Sequence, residues 1–457
     1  MREFVAGKRG VLAFGSENIS YANMPLIPGL RFKIVALLAI AIAVNYLDRQ
    51  NLPVVISEVE KEIPLSNQQY SQLQSLFLFA YAISYAVGGR IIDGLGTRLG
   101  YSLMIVVWSW ANGMHGLATS VWTLAVFRVL LGLGEGGAYP GAAKAVSEWF
   151  PPAERSWAFG VFNSGSSIGS MIAPPLIALI VSLSNWRWVF FSTGFVGLVW
   201  AWAWWKLYDQ PERHRLITTA ERQYLENSII KDRREGRFPY WRLFRYRQIW
   251  GLIFAKFLSD GAWYFFIFWL PKYLGSARGL DIQQIGSYGW IPYALAGCGS
   301  LSGGWLSSFL MRHNVSLDRS RKLTMAIGSF LLPVCLFIVS APLNLAIVFF
   351  GAAFFGHQFW SAILQTLTAD LFPPAMVGSV AGLLGAAGSL GGVVLNLLVG
   401  FALSAHYSYA LVFAVASMLH PVSFLIVLAV VGRIEPLVKT IGYPGQEERV
   451  RFGTLPK

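Results

Sequence analysis

The stretch IVALLAIAIAVNYLDRQ, residues 34–50, is unbroken apolar sequence as far as Val44 and then sets a carboxylate, Asp48, beside a guanidinium, Arg49. A run of this kind is membrane-spanning sequence, because about 20 predominantly apolar residues cross the hydrocarbon core as a helix. Charge inside such a run costs at least ~2.5 to 3.5 kcal/mol on insertion scales, so it persists where it faces a polar pathway or a partner. One segment therefore predicts both a membrane helix and a functional position on it.

The rest of the chain has the same character. With 55% hydrophobic, 15% aromatic and only 13% charged residues, and a mean hydropathy of +0.52, the 457-residue composition suits a polytopic membrane protein far better than a water-soluble enzyme. Apolar runs of spanning length lie near 32–52, 70–92, 99–119, 121–144, 156–182, 186–208, 249–273, 284–311, 322–341, 343–368, 375–402 and 407–432. A polar stretch rich in Arg and Glu separates the first six from the last six. The expected fold is all-α, with twelve transmembrane helices in two six-helix halves. Its parts are a cytoplasmic tail over 1–31, a bundle over 32–208, a cytoplasmic linker over 209–248, a second bundle over 249–433 and a cytoplasmic tail over 434–457. A charged link between six-span halves is what a repeat-built transporter requires, with its substrate site near the midplane where the halves meet.

The net charge of +13 suits either a nucleic-acid partner or basic cytoplasmic loops, so its location decides. With the N-terminus inside, most of the 36 Lys and Arg fall on the cytoplasmic side, while the outer loops are short and nearly uncharged apart from Glu58-Val59-Glu60-Lys61-Glu62. That distribution argues against nucleic acid and places both termini in the cytoplasm. Cys298 and Cys335 sit in apolar spans and imply no disulfide framework. Residues 1–31 have no apolar core before a cleavage site, so no removable signal peptide is expected. The sequons at Asn18 and Asn314 fall on the cytoplasmic side and read as chance. Ala220–Arg234 reads equally as an amphipathic surface helix or as a solvated charge run. Pairs at GxxxG spacing, Gly132/Gly136, Gly165/Gly169, Gly378/Gly382 and Gly388/Gly392, predict close helix packing, with a sliding surface as the second reading.

Tyr46 and Arg49 share a helix face, with Asp48 about 100° around from Arg49. Arg128 and Glu135 lie two turns apart on one face of the fourth span, roughly 10.5 Å of rise, too far for a simple intrahelical pair. Each therefore needs a partner on another helix, and Asp48 and Arg49 are the candidates. A buried carboxylate is destabilised by burial and stabilised by a nearby cation, so moving an Arg toward or away from it couples proton release to shape change. The bland reading is a static charge lock. In the seventh span Lys256 and Asp260 are i and i+4, followed by Trp263, Tyr264 and Trp269; a neutralising pair and a second ligand contact are both open. His357, Gln358, Trp360 and Gln365 stud the tenth span and Asn396 the eleventh, as ligand contacts or as interhelical hydrogen bonds. Lone His115 reads as structural, and Lys144 is placed near the inner vestibule. Nothing in the chain matches a P-loop, a zinc site or a Ser-His-Asp triad, so no cofactor, metal or enzymatic activity is expected.

Gly89-Arg90-Ile91-Ile92-Asp93-Gly94-Leu95-Gly96-Thr97-Arg98 resembles the cytoplasmic signature loop of the major facilitator superfamily, with Gly89, Asp93, Gly96 and Arg98 matching. The pattern usually has basic residues where Gly94 and Thr97 stand. Asp93 is expected to pair with Arg98 or a neighbouring helix dipole. Asn45-Tyr46-Leu47-Asp48-Arg49-Gln50, Arg128 with Gly134-Glu135-Gly136, Glu148-Trp149-Phe150-Pro151 and Asn185-Trp186-Arg187-Trp188-Val189-Phe190 look like the anion:cation symporter branch. Within it, His115-Gly116-Leu117-Ala118, Lys144-Ala145-Val146, Phe162-Asn163-Ser164-Gly165-Ser166-Ser167 and Gly356-His357-Gln358 are most similar to bacterial hexuronate transporters.

The resemblance implies a secondary transporter importing a sugar acid, such as glucuronate or galacturonate, by proton symport with alternating access. It implies Asp48 and Glu135 as proton-coupling residues. Substrate contacts are expected from Tyr46, Arg49, Tyr81, Arg128, Lys256, Gln358 and Asn396, with Arg49 on the substrate carboxylate and the Tyr46 and Tyr81 hydroxyls on the sugar. The fork of a guanidinium suits a carboxylate. The partners expected are the organic anion, protons and the lipid bilayer, with no nucleic acid and no obligatory protein partner. The alternatives are another organic anion, such as an aldonate, tartrate or an aromatic acid, or a membrane receptor that binds the anion without moving it.

Overall fold

The computed structural model describes residues 29–228, 240–372 and 374–437, and among them every regular element is helical. The helices are α1 (Leu30–Glu62), α2 (Asn67–Leu95), α3 (Thr97–Met114), α4 (Val121–Glu135), α5 (Ala138–Trp149), α6 (Pro152–Leu183), α7 (Trp186–Leu207), α8 (Thr219–Ser228), α9 (Arg247–Ser276), α10 (Ile282–Arg312), α11 (Leu317–Leu331), α12 (Leu343–Leu371), α13 (Pro374–Ser404) and α14 (Tyr409–Ile426). α4 and α5 form one crossing, Val121–Trp149, broken after Glu135. Among the described residues, ten crossings are long and apolar enough to span a membrane by length and composition. α3 and α10, rich in Ser, Gly and amide side chains, complete the twelve, and α8 stands outside them.

Local chemistry sets the helix starts. Ser66 and Gln69 cap α2 reciprocally, as do Asp281 and Gln284 for α10 and Ser120 and Thr123 for α4. Such boxes satisfy donors that the first turn leaves orphaned. All three lie at the end of the bundle where Glu60 sits, here the Glu60 face. At the opposite end, the Asp93 face, the chain reverses between α2 and α3 through Gly96 at φ +81°, a conformation that favours glycine.

Small residues set the packing. A methyl added at Gly165 or Gly169 of α6 would overlap the carbonyl oxygens of Ala39 and Ala43 on α1, and one at Gly132 of α4 the carbonyl of Phe77 on α2. Gly388 and Gly392 of α13 lie on Asp260 and Tyr264 of α9. Three of the four GxxxG pairs are thus close helix contacts, whereas a methyl at Gly382 would meet nothing within 4 Å. The first six crossings meet the last six along α2 with α13, α6 with α10, and α1 with α9. Toward the Glu60 face this seam carries polar bonds. Lys272 pairs with Glu60, the Tyr70 hydroxyl donates to the Phe268 carbonyl (2.5 Å), and Ser75 donates to the Val393 carbonyl (3.3 Å).

The linker is helical over Thr219–Ser228, as the first of the two sequence readings has it, but its buried side docks on the protein. The buried Glu221 of α8 accepts from the backbone N–H groups of Leu30 (2.7 Å) and Arg31 (3.2 Å), capping α1 from a distant part of the chain. Arg31 also bridges Glu221 (3.1 Å) and Glu154 (3.0 Å), and the Tyr224 hydroxyl donates to Glu154 (2.8 Å). Burial and that carboxylate together push the Tyr224 phenol's pKa up. The buried side of α8 is therefore spent on α1 and α6; residues 229–234 lie outside the described residues.

Candidate functional site

The guanidinium of Arg49, buried in the middle of α1, donates from Nε (3.1 Å) and Nη2 (2.9 Å) to one oxygen of Glu135, the last residue of α4. Nη2 also reaches Asn45 Oδ1 at 3.3 Å, one turn back. The cation lies 4.7 Å from the ring centres of both Tyr46 and Tyr81. An arginine uses its planar fork and weak hydration in this way to hold a carboxylate and an aromatic face together, and a lysine has neither property. Glu135 Oε1 has no hydrogen-bond partner among the described residues.

Arg128 stands near this pair yet is not part of it. It is fully buried, lies 5.6 Å from the Phe77 ring centre, and none of its three guanidinium nitrogens has a hydrogen-bond partner among the described residues. A buried ion without a hydrogen-bonded partner costs several kcal/mol, of order 3 to 5, which is strong pressure to accept an anion.

Asp48 departs from expectation. Its side chain joins neither Arg49 nor Arg128 and instead accepts from Asn112 (2.9 Å) on α3. Asn112 and Asn51 both donate to Thr193 of α7 (2.7 and 2.8 Å), and Asn51 donates to Asn112 (3.1 Å). One pocket therefore does not receive Tyr46, Asp48 and Arg49 together. The 100° between Asp48 and Arg49 is enough to send one toward α3 and α7 and the other toward α2 and α4. Asn51, Asn112 and Thr193 were missed in the sequence, although an asparagine in each of two apolar runs is a signal of a buried partner.

In the last six crossings, Lys256 and Asp260 pair at 3.0 Å across one turn of α9, with the Asp260 carboxylate against Gly388. Asn396 accepts from Trp269 Nε1 (2.8 Å) and donates to the Gly392 carbonyl (2.8 Å), so its amide is engaged in holding Trp269 and is not brought to the cavity. Between the halves, Tyr46, Ser166, Ser167, Ser170, Trp263, Tyr293, Ala296 and Gln358 line a narrow cavity whose accessible volume is about 10 Å³. This is below the ~300 to 1,000 Å³ of ordinary ligand pockets, so the halves are drawn close here. The buried hydroxyl of Tyr293 has no hydrogen-bond partner among the described residues. Tyr46 belongs both to this wall and to the Arg49 cluster.

The signature loop is wired differently from expectation. Asp93 pairs with Lys144 of α5 (2.7 Å), while Arg98 reaches Asp209 (3.4 Å) and the Trp205 carbonyl (2.7 and 2.9 Å). The turn at Gly96 points Asp93 and Arg98 toward different helices. Gly89 lies by Pro140 of α5. Arg321 and Asp370, absent from the sequence reading, pair at 2.8 Å between α11 and α12. His115 stacks on Phe190 (5.1 Å) and bonds the Ala111 carbonyl, a packing role.

Twelve helical crossings around a charged cluster at their centre describe an integral membrane transporter. The chain belongs to the Major Facilitator Superfamily, whose family model matches residues 38–394. It is 33% identical over 413 residues to the hexuronate transporter of Escherichia coli strain K12, covering 89% of this chain and 95% of that one. It is 34% identical to the galacturonate transporter of Dickeya chrysanthemi, covering 67% and 90%. Among solved structures, the E. coli xylose transporter XylE in an inward-open conformation superposes with a TM-score of 0.69 at 15% identity, covering 88% of this chain and 97% of that one, a likeness of fold.

Proposed function

We propose that this chain imports a hexuronate or closely similar sugar acid, together with a proton, by alternating access across a bacterial inner membrane. The observation that carries the proposal is the Arg49 cluster, a buried fork on Glu135 beside the aromatic rings of Tyr46 and Tyr81 and near Arg128, which has no hydrogen-bond partner among the described residues. The names of the hexuronate and galacturonate relatives support the substrate class. Arg49, with Arg128 beside it, takes the substrate carboxylate; Tyr46, Tyr81 and Gln358 meet its hydroxyls; Lys256 stands on the opposite half.

Charge balance supplies the coupling. Arg49 and Arg128 offset Asp48 and Glu135, so an arriving monoanion leaves the buried site one negative charge in excess. A low-dielectric interior penalises that excess, and protonation of one carboxylate removes it. Glu135 is the nearer, because substrate and Glu135 compete for the same guanidinium. The two six-helix halves, over 32–208 and 249–433, rock about the site, and the Asp93 face, the linker and both termini face the cytoplasm.

The test is uptake of labelled glucuronate into proteoliposomes with an acidic exterior. Concentrative uptake abolished by collapsing the pH difference is expected. Saturable binding without accumulation would make the protein a receptor and overturn the proposal.

A further inference from the structure

Two buried imidazoles face each other behind the cavity. His357 of α12 and His420 of α14 are bonded through Nδ1 and Nε2 at 3.0 Å, with His357 only 2% exposed and His420 fully buried. A neutral imidazole has one donor and one acceptor nitrogen, so this bond fixes complementary tautomers and the orientation of each ring. On its other side, the His357 ring lies parallel to the indole of Trp263, with centroids 4.5 Å apart and planes 6° apart. Phe354 meets the same indole at 62° and 5.2 Å. Trp263 is thus held by a stacked neighbour and an angled one, and it still lines the cavity with Tyr46, Tyr293 and Gln358.

We propose that His357, oriented by His420, is a positioning residue that holds Trp263 as a flat wall of the cavity, and that this wall favours ring-form sugar acids over open-chain ones. The inference rests on the sugar-acid reading above and adds the basis of selection within it. A pyranose presents a flat face of C–H groups that packs on an aromatic ring, while its hydroxyls project from the rim toward Gln358, Tyr46 and the unpartnered Tyr293 hydroxyl. An open-chain acid has no such face. A wall that is already rigid loses little on binding, which is what a second layer of support contributes to a site. A pair that merely fastened α12 to α14 would affect all substrates alike.

The test uses proteoliposomes, with KM and Vmax for labelled D-glucuronate and the inhibition constant of D-gluconate as the open-chain probe. In His357→Ala, the glucuronate KM should rise about three- to tenfold, the scale of one aromatic contact, with Vmax within about twofold and the gluconate constant moving much less. His357→Phe, which keeps the stacked face, should retain the preference, and His357→Asn, which keeps a hydrogen-bonding group but no ring, should not. Equal shifts for both acids, or a fall in Vmax with KM unchanged, would overturn the wall. If His357→Ala fails to insert, Trp263→Phe and Trp263→Leu decide: the first should keep the ring preference and the second lose it, and equal selectivity in both overturns the proposal. An unmodified carrier that accumulates neither acid removes the sugar-acid reading and the wall with it; one that accumulates both, with selectivity unmoved by these changes, removes the wall alone.

Discussion

Replacing Glu135 by Gln exchanges one carboxylate oxygen for an amide NH2, removing the charge while keeping size and an acceptor oxygen, so its consequences follow from the two bonds that Arg49 makes to it. Those bonds, at 2.9 and 3.1 Å, are charge-assisted. A charged hydrogen bond contributes ~1.5 to 3 kcal/mol net and a neutral one ~0.5 to 1.5, so each is weakened by about 1 kcal/mol and the hold on Arg49 by about 2 kcal/mol. On the proposed mechanism, the substrate carboxylate competes with Glu135 for that guanidinium in the unmodified carrier. Removing the competitor should tighten substrate affinity by about thirtyfold. The variant is also locked in the protonated form, so exchange of substrate across the membrane persists while concentrative uptake on a pH gradient disappears. Binding by calorimetry, counterflow and gradient-driven uptake, measured on one preparation, separate these effects. Unchanged affinity together with full accumulation would refute the reasoning and leave Asp48 as the coupling carboxylate.

Arg49→Lys keeps the charge and loses the fork, so affinity should fall by at least about tenfold, the loss of one charged hydrogen bond, in a carrier that still inserts; unchanged affinity would move the carboxylate contact to Arg128 or Lys256. Gly169→Val drives a side chain into the Ala43 carbonyl and should cost about 1 to 3 kcal/mol, read as a lower melting temperature in detergent; an unchanged melting temperature would mean that α1 and α6 are not this close. Glu60→Lys and Lys272→Glu should each slow exchange by about three- to tenfold, and the double exchange should recover most of it; no recovery would show that this pair does not close the Glu60 face.

Hydropathy carried the fold, because each crossing must satisfy its backbone internally and so writes itself as one long apolar run. The break between α4 and α5 was not legible: Gly134, Gly136 and Gly137 read equally as packing glycines in one continuous helix. At the site, helical spacing brought Arg49 and Glu135 under suspicion, and the structure pairs them. Spacing along a helix gives the angle of each residue but not what stands opposite, so Asp48 was assigned to the arginines when α3 and α7 supplied Asn112 and Thr193 in its place. Asp93 and Arg98 were paired for nearness in sequence; their partners, Lys144 and Asp209, lie about 50 and 110 residues further along the chain. The His357–His420 contact spans two crossings whose order of packing no single helix encodes.

Under the proposed proton coupling, the balance of two buried arginines against two buried carboxylates, of which only Arg49 and Glu135 pair directly, also sets how the carrier answers to membrane voltage. With both carboxylates ionised, the empty site returns across the membrane carrying no net charge. Loaded with one monoanion and one proton, it again carries none. An electric field does work of about 2.3 kcal/mol per 100 mV only on a charge that crosses it, so with one proton per anion neither leg of the cycle senses the potential. The proton gradient alone then sets the ceiling, about tenfold accumulation for each pH unit. Such a carrier is electrically silent, and a potassium diffusion potential neither hastens nor retards it. A second proton per anion would turn the loaded form into a cation and hand the voltage a lever that this arrangement of charges otherwise withholds.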